Sequence, residues 1–91
     1  MKKTFRIGEE AIGGIIEVEI VKSRQRPTFI SVRFLDWNSK KVVCFENFTL
    51  SDTRQCEMYL CDNSTSYYAD KVMSWIKPNI QTELKEMGLR Y

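Results

Sequence analysis

Apolar and polar residues alternate along the first two-thirds of the chain, and the last third changes to helical spacing. Phe5 and Ile7 alternate with Thr4 and Arg6, the mark of a first strand. Residues 8–14, ending in Gly13-Gly14, read as a turn region. Ile16, Val18 and Ile20 alternate with Glu17 and Glu19 in a second strand. After the loop at residues 23–27, Ile30, Val32 and Phe34 alternate with Ser31 and Arg33 in a third. Asp36-Trp37-Asn38-Ser39-Lys40 carries turn chemistry, and the β-branched and aromatic run 42–50 is a fourth strand. Residues 51–54 read as another turn. Residues 55–61 read as a fifth strand or as a short helix capped by Ser51. The alternation of Cys56, Met58 and Leu60 favours the strand.

Asp62-Asn63-Ser64 then offers helix N-caps. Tyr68, Val72 and Ile76, with Ala69 and Met73, form one apolar stripe, and Ile80, Leu84 and Met87 continue it up to a stop at Gly88. Pro78 either opens a second helix or kinks a single one. The expected fold is α+β. An antiparallel meander of four to five strands is followed by two short helices, or by one helix kinked at Pro78, packed on one face. Residues 1–91 form a single domain in this reading.

Simple hairpin closure gives a register. Phe5 faces Ile20 and Ile7 faces Val18. Ile16, Val18 and Ile20 face Phe34, Val32 and Ile30. Phe34 then faces Val43, and Val32 faces Phe45. One side becomes almost wholly apolar, with the Tyr68/Val72/Ile76 stripe as its expected cover. On the other side Arg6 stands opposite Glu19 and Glu17 opposite Arg33. Such opposite-charge pairs stabilise a sheet by roughly 0.2–1 kcal/mol each.

Composition narrows the function classes. The 91 residues are 43% hydrophobic and 29% charged, an ordinary globular balance. A net charge of +2 is too small to imply nucleic acid alone. Histidine is absent, which removes Ser-His and Cys-His nucleophile pairs and the commonest metal ligand. No cofactor or metal motif appears. Met1-Lys2-Lys3 is followed by Phe5-Arg6-Ile7-Gly8-Glu9-Glu10 in place of an apolar run, and no stretch reaches the length of a membrane span. The expected setting is therefore cytoplasmic. Cys44, Cys56 and Cys61 fit as free thiols there, with Cys44 opposite Cys61 in the expected register.

One surface stands out. Val21, Phe29 and Phe48 form a row on the polar side of the sheet, with Leu50 and Tyr59 near it. Lys2, Lys3, Lys22, Arg24 and Arg26 lie at the same end. Trp37 sits at a turn tip, where it either anchors a partner or tucks under the hairpin. The C-terminal helix could cover the row and make it core. Left open, it suits a small non-catalytic protein-interaction domain of accessory, inhibitor or adaptor type. Phe29, Phe48 and Tyr59 would make contact, with Trp37, Lys22, Arg24 and Arg26 at the rim. The partner would be another protein or a second copy in a homodimer. The alternative is a single-stranded nucleic-acid module using the same aromatics with Lys22, Arg24 and Arg26, set against Glu17, Glu19, Glu46 and Glu57 on that side. No small-molecule substrate and no membrane role are indicated.

Overall fold

The structure is a computed structural model and describes residues 1–8, 14–22, 25 and 27–86. It is α+β. Four antiparallel strands, β1 (Lys2–Ile7), β2 (Gly14–Val21), β3 (Phe29–Asp36) and β4 (Val42–Thr49), are followed by helices α1 (Thr53–Asn63) and α2 (Ser66–Glu86). The strands lie in one sheet in sequence order, as expected of a meander. The chain divides into two compact units, Met1–Cys56 and Glu57–Tyr91, with the boundary inside α1.

In the first unit, β2 and β3 pair as the alternation requires: Ile16 with Phe34, Val18 with Val32 and Ile20 with Ile30. All six are buried. Full burial of such a side chain contributes about 1.5–3 kcal/mol, so this face dominates the unit's stability.

Two neighbouring registers differ from simple closure. On β1, Phe5 faces Ile16 and Ile7 faces Gly14, where Ile20 and Val18 were expected. The shift is even, so each side chain keeps its face while its partner changes. Arg6 stands opposite Ile15, and Glu19 opposite Lys2. Gly8 follows β1 with φ of 69°, a left-handed conformation that glycine adopts without a Cβ clash.

On β4 the shift is odd. The hairpin starts as expected, with Asp36 N–H donating to the Lys41 carbonyl (2.9 Å) and Leu35 opposite Val42. A β-bulge then inserts Val43, so Phe34 faces Cys44 in place of Val43, and Val32 faces Glu46 in place of Phe45. One extra residue exchanges the two faces of everything beyond it. Phe48 therefore joins Ile30 on the buried face, and Phe45 moves to the other.

Residues 55–61 are helical, which corrects the fifth strand. Cys56 and Leu60, one helical turn apart, are both buried, while Met58 is 58% exposed. A strand would have turned all three the same way. Asp52 precedes the helix and its carbonyl accepts the Cys56 amide (3.0 Å), so Asp52 holds the entry assigned to Ser51. Ser51 instead contacts the Thr49 hydroxyl. The expected caps Asn63 and Ser64 close the end of α1, their side chains donating to the carbonyls of Tyr59 and Leu60. The cap of α2 is Thr65, whose hydroxyl accepts the Tyr68 amide (3.4 Å).

Helix α2 runs through Pro78 as one element. The Asn79 side chain donates to the Trp75 carbonyl (2.6 Å) and the Thr82 hydroxyl to the Pro78 carbonyl (3.0 Å), adding bonds around the turn where proline has no N–H to give. Ala69, Val72, Met73, Ile76, Ile80 and Leu84 are buried, as the stripe predicts, while Tyr68 is only half-buried and Glu83 is buried beside Leu84 without being part of the stripe. Met87 and Gly88 lie outside the described residues.

Candidate functional site: the open face of the sheet

The second face of the sheet is laid out by the same registers. Rows across it read Arg6–Ile15–Leu35–Val42, Thr4–Glu17–Arg33–Phe45, Lys2–Glu19–Ser31–Asn47 and Val21–Phe29–Thr49. Val21, Phe29, Ser31, Arg33, Val42, Phe45 and Asn47 line a shallow groove of about 410 Å³. Its edge on β4 carries the most exposed apolar surface of the face, with Phe45 63% and Val42 50% accessible.

Arg33 organises the centre. Its Nε donates to Glu17 Oε1 (2.8 Å), its Nη2 to Glu19 Oε1 (3.0 Å) and its Nη1 to Ser31 Oγ (3.3 Å). Lys2 Nζ lies 3.5 Å from Glu17. Partial burial opposes the Arg33 charge, but its hydrogen bonds to the Glu19 and Glu17 carboxylates outweigh it and raise the guanidinium above its ordinary pKa. The expected Glu17–Arg33 pair is present; the expected Arg6–Glu19 pair is replaced by Lys2 opposite Glu19. Charge-assisted bonds of this kind are strong and directional, so the network fixes Arg33 in the floor of the face.

Arg6 turns to the hairpin tip instead. Its guanidinium carbon lies 4.9 Å from the Trp37 ring centroid, and Lys40 Nζ lies 4.5 Å from it. Trp37 is half-buried, with its ring against the Arg6 and Lys40 cations. Asp36 sets this turn. Its carboxylate accepts the amides of Ser39 (2.8 Å) and Asn38 (3.1 Å), while Lys40 takes the left-handed conformation with φ of 59°. The Ser39 amide and hydroxyl, then the Asn38 amide and the Lys40 charge, hold the Asp36 carboxyl below its ordinary pKa of 3.8. A depressed folded pKa adds stability that is complete above the unfolded value and disappears as pH falls through the folded one. The Asn38 and Ser39 amide resonances should therefore titrate with a midpoint below 3.8. A midpoint at or above that value would show that the carboxylate does not hold the turn.

The expected site residues scatter. Phe29 lines the groove, and Lys22 follows Val21 at one end of the face. Phe48 is core at 8% exposure and leaves the Val21–Phe29 row to Thr49. Leu50 is also buried. Tyr59 and Glu57 belong to α1, and Glu46 shares the register side of Val32. Arg24 and Arg26 lie outside the described residues. Cys44 stands opposite Phe34 and Cys61 lies in α1, so the expected Cys44–Cys61 row is absent. None of the three cysteines is in a disulfide. Phe45, Val42 and Asn47 are the groove residues that alternation alone did not place. Their signal was a parity conflict: Val43 and Phe45 are odd-numbered apolar positions, and Phe48 and Leu50 even-numbered ones, within one strand.

Among the described residues no group of three cysteine, aspartate or glutamate side chains could hold a metal ion, and no helix is long and apolar enough to cross a membrane. In comparisons with known proteins, the chain matches no family model, no curated protein and no solved structure.

Proposed function

We propose that this chain is a non-catalytic protein-interaction domain of accessory, inhibitor or adaptor type, and that it receives a protein partner on the open face of its sheet. The observation that carries the reading is the groove beside Phe45 and Val42. It joins exposed apolar side chains to a floor whose charges already have partners. A partner can cover such a floor without stranding a charge, which is the usual cost of burying a polar surface. The lack of histidine and the unbridged cysteines fit a binding role in a reducing, cytoplasmic setting.

The nucleic-acid alternative draws less support. Arg33, the cation at the centre of the face, is engaged by Glu17 and Glu19, and those carboxylates would oppose a phosphate chain laid across the groove.

The test is affinity capture from the source organism's extract with the wild type and the Phe45→Ala/Val42→Ala double variant. The variant is expected to keep its circular-dichroism spectrum and lose the captured partner. Equal capture by both proteins would remove the open face as the docking surface.

A further inference from the structure

Strand β4 forms one margin of the sheet, so among the described residues its outer side has no neighbouring strand. The hairpin shows which of its backbone groups point there. Asp36 donates its N–H to the Lys41 carbonyl and its carbonyl accepts the Lys40 N–H (2.9 Å each), so both groups face β4. Along β3 this orientation recurs at every second residue, at Phe34, Val32 and Ile30, and their partners Cys44, Glu46 and Phe48 face back. Phe45, Asn47 and Thr49 therefore direct their backbone groups outward. Thr49 is taken up by the turn that follows: its carbonyl accepts the Asp52 amide (3.0 Å) and its hydroxyl donates to the Asp52 carboxylate (2.9 Å). The Asn47 amide donates to Glu46 Oε1 (3.1 Å), an exposed bond within the strand. The open stretch is thus residues 43–47, with Phe45 at its midpoint. Val43 and Phe45 are the two most exposed large apolar side chains among the described residues.

We infer that this edge pairs antiparallel with the same edge of a second copy, about a two-fold axis at Phe45. The residues along the edge select that occupant. Around the axis Phe45 meets Phe45, Cys44 meets Glu46 and Val43 meets Asn47, so the centre of the seam is apolar and no carboxylate stands opposite another. An axis at Glu46 would set two carboxylates directly opposite each other. An axis at Asn47 would need Thr49, which the turn has taken. Symmetric pairing also uses both open edges at once. The margins left over are the two β1 strands, where Lys2, Lys3 and Arg6 fill three of six positions. Charged side chains of this kind keep edges apart, so assembly ends at two. Glu46 is the brake, because its carboxylate holds the Asn47 amide that the second copy must reach. Five residues at about 3.4 Å each give a seam about 17 Å long. That is small beside a standard interface of about 800 Å² per partner, so the dimer is weak and depends on concentration. The inference goes beyond the docking of a partner on the open face, since it uses the backbone edge of β4 and not the groove.

The experiment is sedimentation velocity of the full chain at concentrations up to about 1 mM. A reducing buffer keeps Cys44 and Cys61 from linking copies. Amide hydrogen exchange is read by NMR on the same samples. The expected result is a monomer–dimer equilibrium in which the Phe45 and Asn47 amides exchange severalfold more slowly as concentration rises. Glu46→Ala should tighten the dimer severalfold. Phe45→Lys should abolish it while the circular-dichroism spectrum stays unchanged. Monomer at every concentration, in both the wild type and Glu46→Ala, would overturn the pairing and leave the open face to its own capture test. A dimer that survives Phe45→Lys, or that leaves the Phe45 and Asn47 amides unprotected, would overturn it in favour of another surface. Species that grow beyond two would overturn the two-fold arrangement in favour of β4 joining the β1 edge of the next copy.

Discussion

Phe48→Ala is expected to destabilise the protein by about 3–5 kcal/mol, while Phe45→Ala, three residues away on the same strand, leaves stability within about 0.5 kcal/mol. The two rings are chemically identical and differ only in the face they occupy. Phe48 is 8% exposed opposite Ile30, and Phe45 is 63% exposed opposite Arg33. Removing the first leaves a cavity in a face where Ile20, Ile30 and Val32 are close to fully buried, and the loss combines transfer and cavity costs. Removing the second takes away surface that is already in water. The contrast is large beside a total folding stability of about 5–15 kcal/mol. Denaturant midpoints for the two variants measure it directly. Equal midpoints would mean that β4 is not bulged at Val43. The same pair separates stability from binding, because only the ring that tolerates removal can be tested as a contact residue.

Leu60→Ala is expected to cost about 2–5 kcal/mol, and Met58→Ala less than about 0.5 kcal/mol. Leu60 is completely buried in α1, one turn from the equally buried Cys56, whereas Met58 is 58% exposed on another side of the helix. In a strand all three would share one face, and both substitutions would be costly. Thermal unfolding of the two variants distinguishes the cases, and a large loss from Met58→Ala would contradict the helix.

The parts of the fold legible from sequence are those where one period holds without interruption. Strands β2 and β3 alternate cleanly, so their pairing and the Glu17–Arg33 contact follow residue by residue. The α2 stripe is equally regular: Ala69, Val72, Met73, Ile76, Ile80 and Leu84 are buried as predicted, Tyr68 is half-buried, and the pattern did not show that Glu83 is buried with them. Prediction fails where a local device overrides the period. Cys56, Met58 and Leu60 satisfy period two, and Cys56 and Leu60 also satisfy helical spacing; a seven-residue segment cannot separate these by pattern alone. In β4 the bulge changes parity midway, so Phe48 and Leu50 resembled an exposed patch when they were core. Of the expected surface, the alternation places Phe29 on the non-core face, while Arg24 and Arg26 lie outside the described residues and Lys3 stands opposite Val18 on the other side. Phe29 lies on that face opposite Thr49, and Phe45, not Phe48, is the β4 aromatic beside the groove.

Val43 also determines how this strand tolerates a change in length. It is the residue without a cross-strand partner between Val42, which opposes Leu35, and Cys44, which opposes Phe34. Deleting it would close the strand on those two neighbours and leave every other partnership as it stands, with Phe45 still over Arg33 and Phe48 still beside Ile30. Deleting Phe45 or Glu46 would instead carry Phe48 to the wrong side. The strand therefore contains one dispensable letter among indispensable ones, and an alignment gap at that letter would be silent for the fold.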